Sequence, residues 1–428
     1  MKPSISKHTG LRYTTRIYDE LHGYIGLTEL ESHIIDTPVF QRLRRIKQLS
    51  AAWLVYPGAL HTRFSHSIGV MHVMGIIAEK LAREGYIPGD DIQLLRIAAL
   101  LHDIGHYPYS HTLEAYYLRI DGPSHEQLAR HIILRDPDLS DIISSSSIDS
   151  WEIISIIEGR HKEPVYNMLL GSDLDADRAD YLPRDALHTG VTYGVIDLHR
   201  IIDTLTVSED GSLAISYKGL HAVENFYIAR LHMYKSVYYH KTIIGYEALL
   251  RLIIENLVEE LEDDDEVEKL KPQWIYKAIE KGEYPYWEDY WVHHILYKAL
   301  KSRTVSEDTK RLIRLFLDRR GFKNILDLSY MSNSPMNEED REKLTRIHEE
   351  LSKRLPSKAI IIFADSIPIV KEDDAVRIVT PKGSMEWITN PSIDTIVNKL
   401  YKYYIVMRVY VDPIYANLAR EYLRSIIQ

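Results

Sequence analysis

Apolar residues recur along most of this chain at steps of three and four, the spacing that lines one face of a helix. From about residue 30 to 330 that rhythm dominates and predicts a mainly helical body. His66, Val70, Val73 and Ile77 fall on one stripe of a helix over about 65–81. The run LLRIAALL within 91–105 is apolar on every side, which predicts a buried helix ended by Gly105. Thr37-Pro38 reads as a helix start, with Thr as cap and Pro at the first helical position. Ser124 and Gln127 form a capping box that opens a helix at His125. Asp173, Asp177, Tyr181 and Asp185 step by four along another helix, whose neighbours Leu169, Leu170, Leu174 and Leu182 call for partial burial. Pro183 inside that helix removes a backbone hydrogen bond and should kink it.

The texture changes near residue 355. Residues 359–363, 375–379 and 404–410 read as strands, interleaved with helical patterns at 393–401 and 413–427. The expected architecture is mainly α: a helical domain over 1–355, then a small α+β unit over 356–428 that serves packing or oligomerisation. The acidic stretch 259–271 reads as a solvated helix end or loop.

The length, 428 residues, suits two packed units, and 45% hydrophobic with 27% charged residues suits a folded globular protein. A net charge of -10 disfavours a broad nucleic-acid surface, though not a small anionic substrate held by a local basic cleft or a metal. The absence of cysteine excludes disulfides, thiolate catalysis and Cys-type zinc sites. No apolar stretch reaches membrane-spanning length and the start lacks a signal-peptide core, so the expected location is the cytoplasm.

His102-Asp103 closes the buried helix. A polar pair there is costly unless it is paired or bound to a metal, and the dipeptide alone also fits a plain C-terminal cap. His66 on an inward stripe has the bland reading of a core histidine, and the Asp177 run that of an exposed acidic face. Together, two His and two Asp from three helices make a four-ligand site of the mixed N/O type that first-row divalent metals accept. Arg42, Arg44, Arg45 and Lys47 read either as a solvated helix face or as a phosphate grip. Tyr227, Tyr234 and Tyr238 have helical spacing and fit an aromatic core stripe.

The segments DTPVFQRLRRIKQLS from Asp36, VYPGALHTRFSHSIGV from Val55, LHDIGHYPYSHTLE from Leu101, SHEQ from Ser124, SDLDADRADYLPRDALHTG from Ser172 and RLHMYKSVYYHK from Arg230 occur in one order over about half the chain. In these the sequence resembles the HD-domain superfamily, and within it the deoxynucleoside triphosphate triphosphohydrolases. The resemblance is strongest to prokaryotic relatives of the vertebrate sterile-alpha-motif and HD-domain protein. It implies a metal core over about 48–190, a substrate-side helix over about 222–245, and one divalent metal ion held by His66, His102, Asp103 and Asp177. It does not distinguish Mn, Fe, Mg, Ni or Zn. It implies a catalytic pocket of His106, His111, Glu114 and His125, with His125 and Glu114 as the general-acid pair and His111 as the rival acid. Gln48, Leu49, Tyr181 and Asp185 match positions around a deoxyribose. Arg63 matches a triphosphate contact, and Arg178, Arg230 and Tyr238 positions along the phosphates and sugar.

The implied reaction releases deoxynucleoside and inorganic triphosphate, with a metal-activated water directed at the α-phosphorus and a proton needed by the nucleoside oxygen. Implied partners are deoxynucleoside triphosphates, magnesium accompanying the nucleotide, a regulatory nucleotide, and further copies of the chain in a homodimer or homotetramer. Three departures touch the fit around sugar and base: Ser65 replaces a Glu, Tyr239 a Gln, and Pro183 an Ala or Leu. Two other readings compete: a nucleoside monophosphate or cyclic nucleotide phosphohydrolase, and a nucleotide or nucleic-acid sensor with weak catalysis.

Overall fold

A computed structural model of the chain describes residues 4–5, 11–261, 265–370 and 375–427. Near the N-terminus an antiparallel hairpin, β1 (Thr15–Asp19) and β2 (Gly23–Leu27), precedes the helices, and Gly23 supplies the positive φ its turn needs. The helical body is built on α1 (Arg63–Arg83), mostly buried, and α2 (Ile92–Leu101), almost wholly buried. Arg96 survives inside apolar α2 because its guanidinium forks onto Glu31, at 2.6 and 2.8 Å. Next come α3 (His111–Arg119), α4 (His125–Arg135) and α5 (Ala176–Thr189). The Ser124–Gln127 capping box opens α4 as its sequence indicates. The α5 helix runs on through Pro183 and ends at Gly190, which takes the left-handed conformation. It packs against α1, as does α2.

Two short strands, β3 (Leu205–Val207) and β4 (Leu213–Ser216), lead into α6 (Leu220–Met233). That helix continues as a π-helical turn over Tyr234–Tyr238, and α7 (Lys241–Glu260) follows. The π turn falls within the spacing of Tyr227, Tyr234 and Tyr238, and all three pack on the main core. It turns Tyr238 toward α5, where its hydroxyl donates to Asp185 Oδ2 at 2.8 Å. Part of the acidic stretch, 262–264, lies outside the described residues; beyond it Val267 and Leu270 are buried.

The C-terminal sheet reaches further back than residue 356. Its strands are β5 (Lys323–Asp327), β6 (Tyr330–Ser332), β7 (Ile360–Pro368) and the central β10 (Tyr403–Val411), with α8 (Glu338–Ser352) and α9 (Ala416–Ile427) packed beside it. The strand β10 pairs with β7 along its whole length and with β5 and β6 on its other edge. Its residues alternate between two cores. Ile405, Met407, Val409 and Val411 join Leu344, Leu351 and Leu423, whereas Tyr404, Val406 and Tyr410 join the helical body. Two more strands, β8 (Arg377–Val379) and β9 (Met385–Trp387), extend the β3–β4 pair, with β8 parallel to β4. The tail is thus stitched into the helical body rather than appended to it. The helix expected at 393–401 is a single 3-10 turn, Ile396–Lys399.

The basic cluster also differs from both of its sequence readings. Arg42 is fully buried and donates to the carbonyls of Trp287 and His106, both at 2.7 Å. Arg45 donates to Pro285 O, and Lys47 pairs with buried Asp289. Arg44 is the exposed member. Three of the four cations therefore tie the 42–47 segment to the 285–289 segment, and Arg42 also reaches the His106 carbonyl.

Candidate functional site

Helices α1, α2 and α5 bring His66, His102, Asp103 and Asp177 together. His66 Nε2 lies 3.0 Å from Asp177 Oδ1 and 3.7 Å from Asp103 Oδ2. His102 Nε2 lies 3.3 Å from Asp103 Oδ1 and 3.7 Å from Asp177 Oδ1. The second nitrogen of each imidazole is held from behind: His66 Nδ1 by Asp180 Oδ2 at 2.9 Å, and His102 Nδ1 by the Ala99 carbonyl at 2.8 Å. Carbonyls accept only, so His102 carries a proton on Nδ1 and turns Nε2 toward the carboxylates. That buried nitrogen has no hydrogen-bond partner among the described residues. A buried, unpartnered imidazole nitrogen facing two carboxylates fits a cation, and imidazoles braced from behind are the usual setting of metal-bound histidine. Burial disfavours the His66 imidazolium, yet Asp177, Asp180 and Asp103 push its pKa up to about 10. The cluster therefore calls for positive charge, which a divalent ion supplies without a proton. These residues can hold a metal ion, as His66, His102 and Asp103 alone are close enough to do.

Arg63, at the start of α1, donates to Asp103 Oδ2 at 2.5 Å and to Ser110 Oγ at 2.8 Å. Next to it stands the histidine group. His106 Nε2 is 3.1 Å from Asp103 Oδ1, and the His106 ring stacks on His125 at 4.1 Å. Tyr109 and Ser110, both at positive φ, form the strained turn that places His111 at the head of α3. Glu114 is the hub of this group. Its Oε1 accepts from His125 Nδ1 at 2.6 Å and from the His125 backbone N–H at 2.8 Å, and its Oε2 is 3.0 Å from His111 Nδ1. Burial alone would raise the Glu114 carboxyl, but these imidazoles hold it far below the ordinary carboxylate range. Burial, with Arg63 and His125 nearby, lowers His106 well below the usual imidazole value, so it is neutral.

The expected sugar and phosphate residues border the same centre. Asp185 is doubly engaged, with Oδ1 2.7 Å from His61 Nε2 and Oδ2 accepting from Tyr238. Tyr181 lies between His66 and Tyr238, with ring centroids 6.4 and 5.9 Å away. Leu49 packs on the core, and the Gln48 side-chain carbonyl is buried with no partner among the described residues. Arg178 donates to the Ser172 carbonyl and pairs with Asp175. Arg230 is buried and pairs with Asp173 at 2.7 Å. Asp173 itself sits in the turn before α5, not on its face, because Asp175 caps that helix. The Nε atoms of both arginines are buried without a partner among the described residues.

Sequence reasoning missed Asp180, His61 and Glu247. Asp180 is one helical turn before Arg184, a spacing that only the fold shows to be useful. Glu247 on α7 hydrogen-bonds Ser50 and Thr112, next to Leu49 and His111. Burial raises its carboxyl from 4.5 to about 7, with Arg251 and those hydroxyls opposing only in part. A raised acid contributes stability that is full below its unfolded value and is lost as pH rises through the folded one. Glu247→Gln is therefore expected to flatten the fall in stability between pH 4.5 and 7. Denaturant unfolding at several pH values checks this; unchanged slopes would show that Glu247 is ordinarily ionised.

A family model described as HD domain matches residues 63–185, an interval that holds all four expected ligands, and one described as HD associated region matches 196–284. An uncharacterised protein of Methanocaldococcus jannaschii is 41% identical over 57% of this chain and 50% of its own length. A deoxynucleoside triphosphate triphosphohydrolase homologue of Dictyostelium discoideum is 31% identical over 53% of this chain and 46% of that protein. The chain thus spans about half the length of these curated relatives. Among solved structures, a phosphohydrolase from Bacteroides thetaiotaomicron superposes with a TM-score of 0.76 at 27% identity, covering 93% of this chain and 99% of that one. No described helix is long and apolar enough to cross a membrane.

Proposed function

The chain belongs to the HD-domain superfamily, and on that premise we propose that it hydrolyses deoxynucleoside triphosphates to deoxynucleoside and inorganic triphosphate. The observation that carries the reading is the pair of guanidiniums on half-buried Arg178, next to Asp177, and on buried Arg230, whose buried Nε atoms lack partners among the described residues. Buried donors left unpaired are costly, and a phosphate chain would satisfy them.

His66, His102, Asp103 and Asp177 would hold the divalent ion. When bound, such an ion supplies Lewis acidity and a nucleophile at neutral pH. Arg63, Arg178 and Arg230 balance the charge of the triphosphate. The water oxygen bonds to the α-phosphorus, the bond to the 5′ oxygen breaks, and that oxygen takes a proton. His125 is the proton donor: Glu114 pins its Nδ1, so Nε2 is left for the substrate. The His106 and His125 rings stack nearly parallel beside His111 and Glu114, and these four are also close enough together to hold a metal ion. Gln48, Leu49, Tyr181, Asp185 and Tyr238 enclose the deoxyribose, the proposed assembly is a homodimer or homotetramer, and a regulatory nucleotide acts on it.

Product analysis with the manganese-loaded protein tests this. Each deoxynucleoside triphosphate, offered singly and in mixture, is expected to give deoxynucleoside and intact triphosphate. Turnover confined to mixtures would identify the regulatory nucleotide. Orthophosphate released from monophosphates, with no triphosphate turnover, would overturn the assignment.

A further inference from the structure

A buried ionic network joins the N-terminal hairpin to the back of His66. Asp19, at the end of β1, fixes the turn by accepting the backbone N–H groups of Leu21 and His22 at 3.0 and 2.9 Å. Arg184 bridges from α5. Its guanidinium holds Asp19 at 2.8 and 3.2 Å, and Asp180 at 2.8 and 2.9 Å. His22 Nε2 meets the other side of Asp180, 2.6 Å from Oδ1. Asp180 Oδ2, shared with Arg184, is the atom that faces His66 Nδ1. Asp19, Asp180 and Arg184 are all buried.

Helix α1 is shaped to admit this network. A Cβ at Gly69 would stand 2.0 Å from Asp180 Oδ1 and 2.4 Å from an Arg184 nitrogen. The glycine thus allows the ion pair to press against the helix one turn beyond His66. A carboxylate behind an imidazole sets its tautomer and ring angle, and here that carboxylate is itself clamped from a hairpin far away in sequence.

We propose that the hairpin is an outer part of the metal centre: Asp19 and His22 are positioning residues that hold Asp180, and through it hold His66 with Nε2 toward the cation. The inference rests on the reading of His66 as a metal ligand. A hairpin that only braced the fold would need no contact with the carboxylate behind His66. This one places His22 directly on it.

The test is Mn²⁺ titration of the metal-stripped full chain by calorimetry, paired with unfolding of the metal-free protein. His22→Ala and Asp19→Asn are expected to weaken Mn²⁺ binding by about 10-fold, within the range seen when a partner behind a metal ligand is lost. His22→Gln is expected to recover most of the affinity, because its amide nitrogen can donate to Asp180 from nearly the same place. Tyr18→Ala, an exposed change on the same hairpin, should leave affinity unaltered. If His22→Ala loses metal-free stability but keeps wild-type affinity, the hairpin is a brace only and the inference falls. If the folded wild-type chain binds no Mn²⁺, the metal reading itself falls.

Discussion

Asp177→Ala is expected to abolish triphosphate release, with kcat falling roughly a thousandfold or more while the fold survives. The side chain is 28% exposed and lies on the open side of the cluster, so its removal leaves no large cavity. What it removes is a carboxylate 3.0 Å from His66 Nε2 and 3.7 Å from His102 Nε2. Burial opposes its ionisation, yet those two imidazoles hold the carboxyl below its ordinary range. Without it, one negative charge and one proposed oxygen ligand are gone, and a divalent ion would be held by three side chains instead of the four proposed. Metal content of the purified variant, measured beside kcat, checks the cause. A variant retaining a tenth of wild-type activity with full metal content would remove Asp177 from the ligand set.

The second large effect is expected at His125, the proposed acid. His125→Asn should lower kcat by about 10²–10⁴-fold with little change in KM, the usual weight of a positioned proton donor. Glu114→Gln should follow in the same direction but less far, because an amide oxygen can still accept from Nδ1 while the negative charge is lost. Since Glu114 remains a carboxylate well below the ordinary range, its own titration should not set the acidic limb of the rate profile. The rival, His111, has a side chain 72% exposed, against 24% for His125, and is the less constrained of the two. A substrate with p-nitrophenol in place of the nucleoside separates the candidates. Its leaving group needs no proton, so it should restore turnover to His125→Asn. If it restores His111→Asn instead, the roles are reversed.

The C-terminal sheet bears on the site more directly than its sequence suggested. Tyr239 follows the π turn and donates to Asp365 on β7, while Arg408 on β10 donates to the Tyr239 carbonyl. The position where a Gln gives way to Tyr is thus held by the sheet rather than left open to a ligand. The sheet went partly unread because β5 and β6 are short, and because only Leu344, Ile347 and Leu351 of charged α8 are buried. A stripe that narrow is hard to separate from a solvated run.

What the sequence determined by itself was the set of helices carrying His66, His102, Asp103 and Asp177. Periodicity, capping residues and contiguous motifs act within a window of about ten residues, and the helices that carry those residues are built within such windows. It also placed Glu114 and His125 in one pocket, through motif resemblance. Only the tertiary structure decided which charges meet. Arg42 finds Trp287 across 245 residues, and His22 finds Asp180 across 158. An arginine or aspartate has the same local signature whether it faces solvent, a phosphate or a buried partner. Its role is chosen by which distant element packs against it, since burying an unpaired charge costs more than ordering two side chains to pair them.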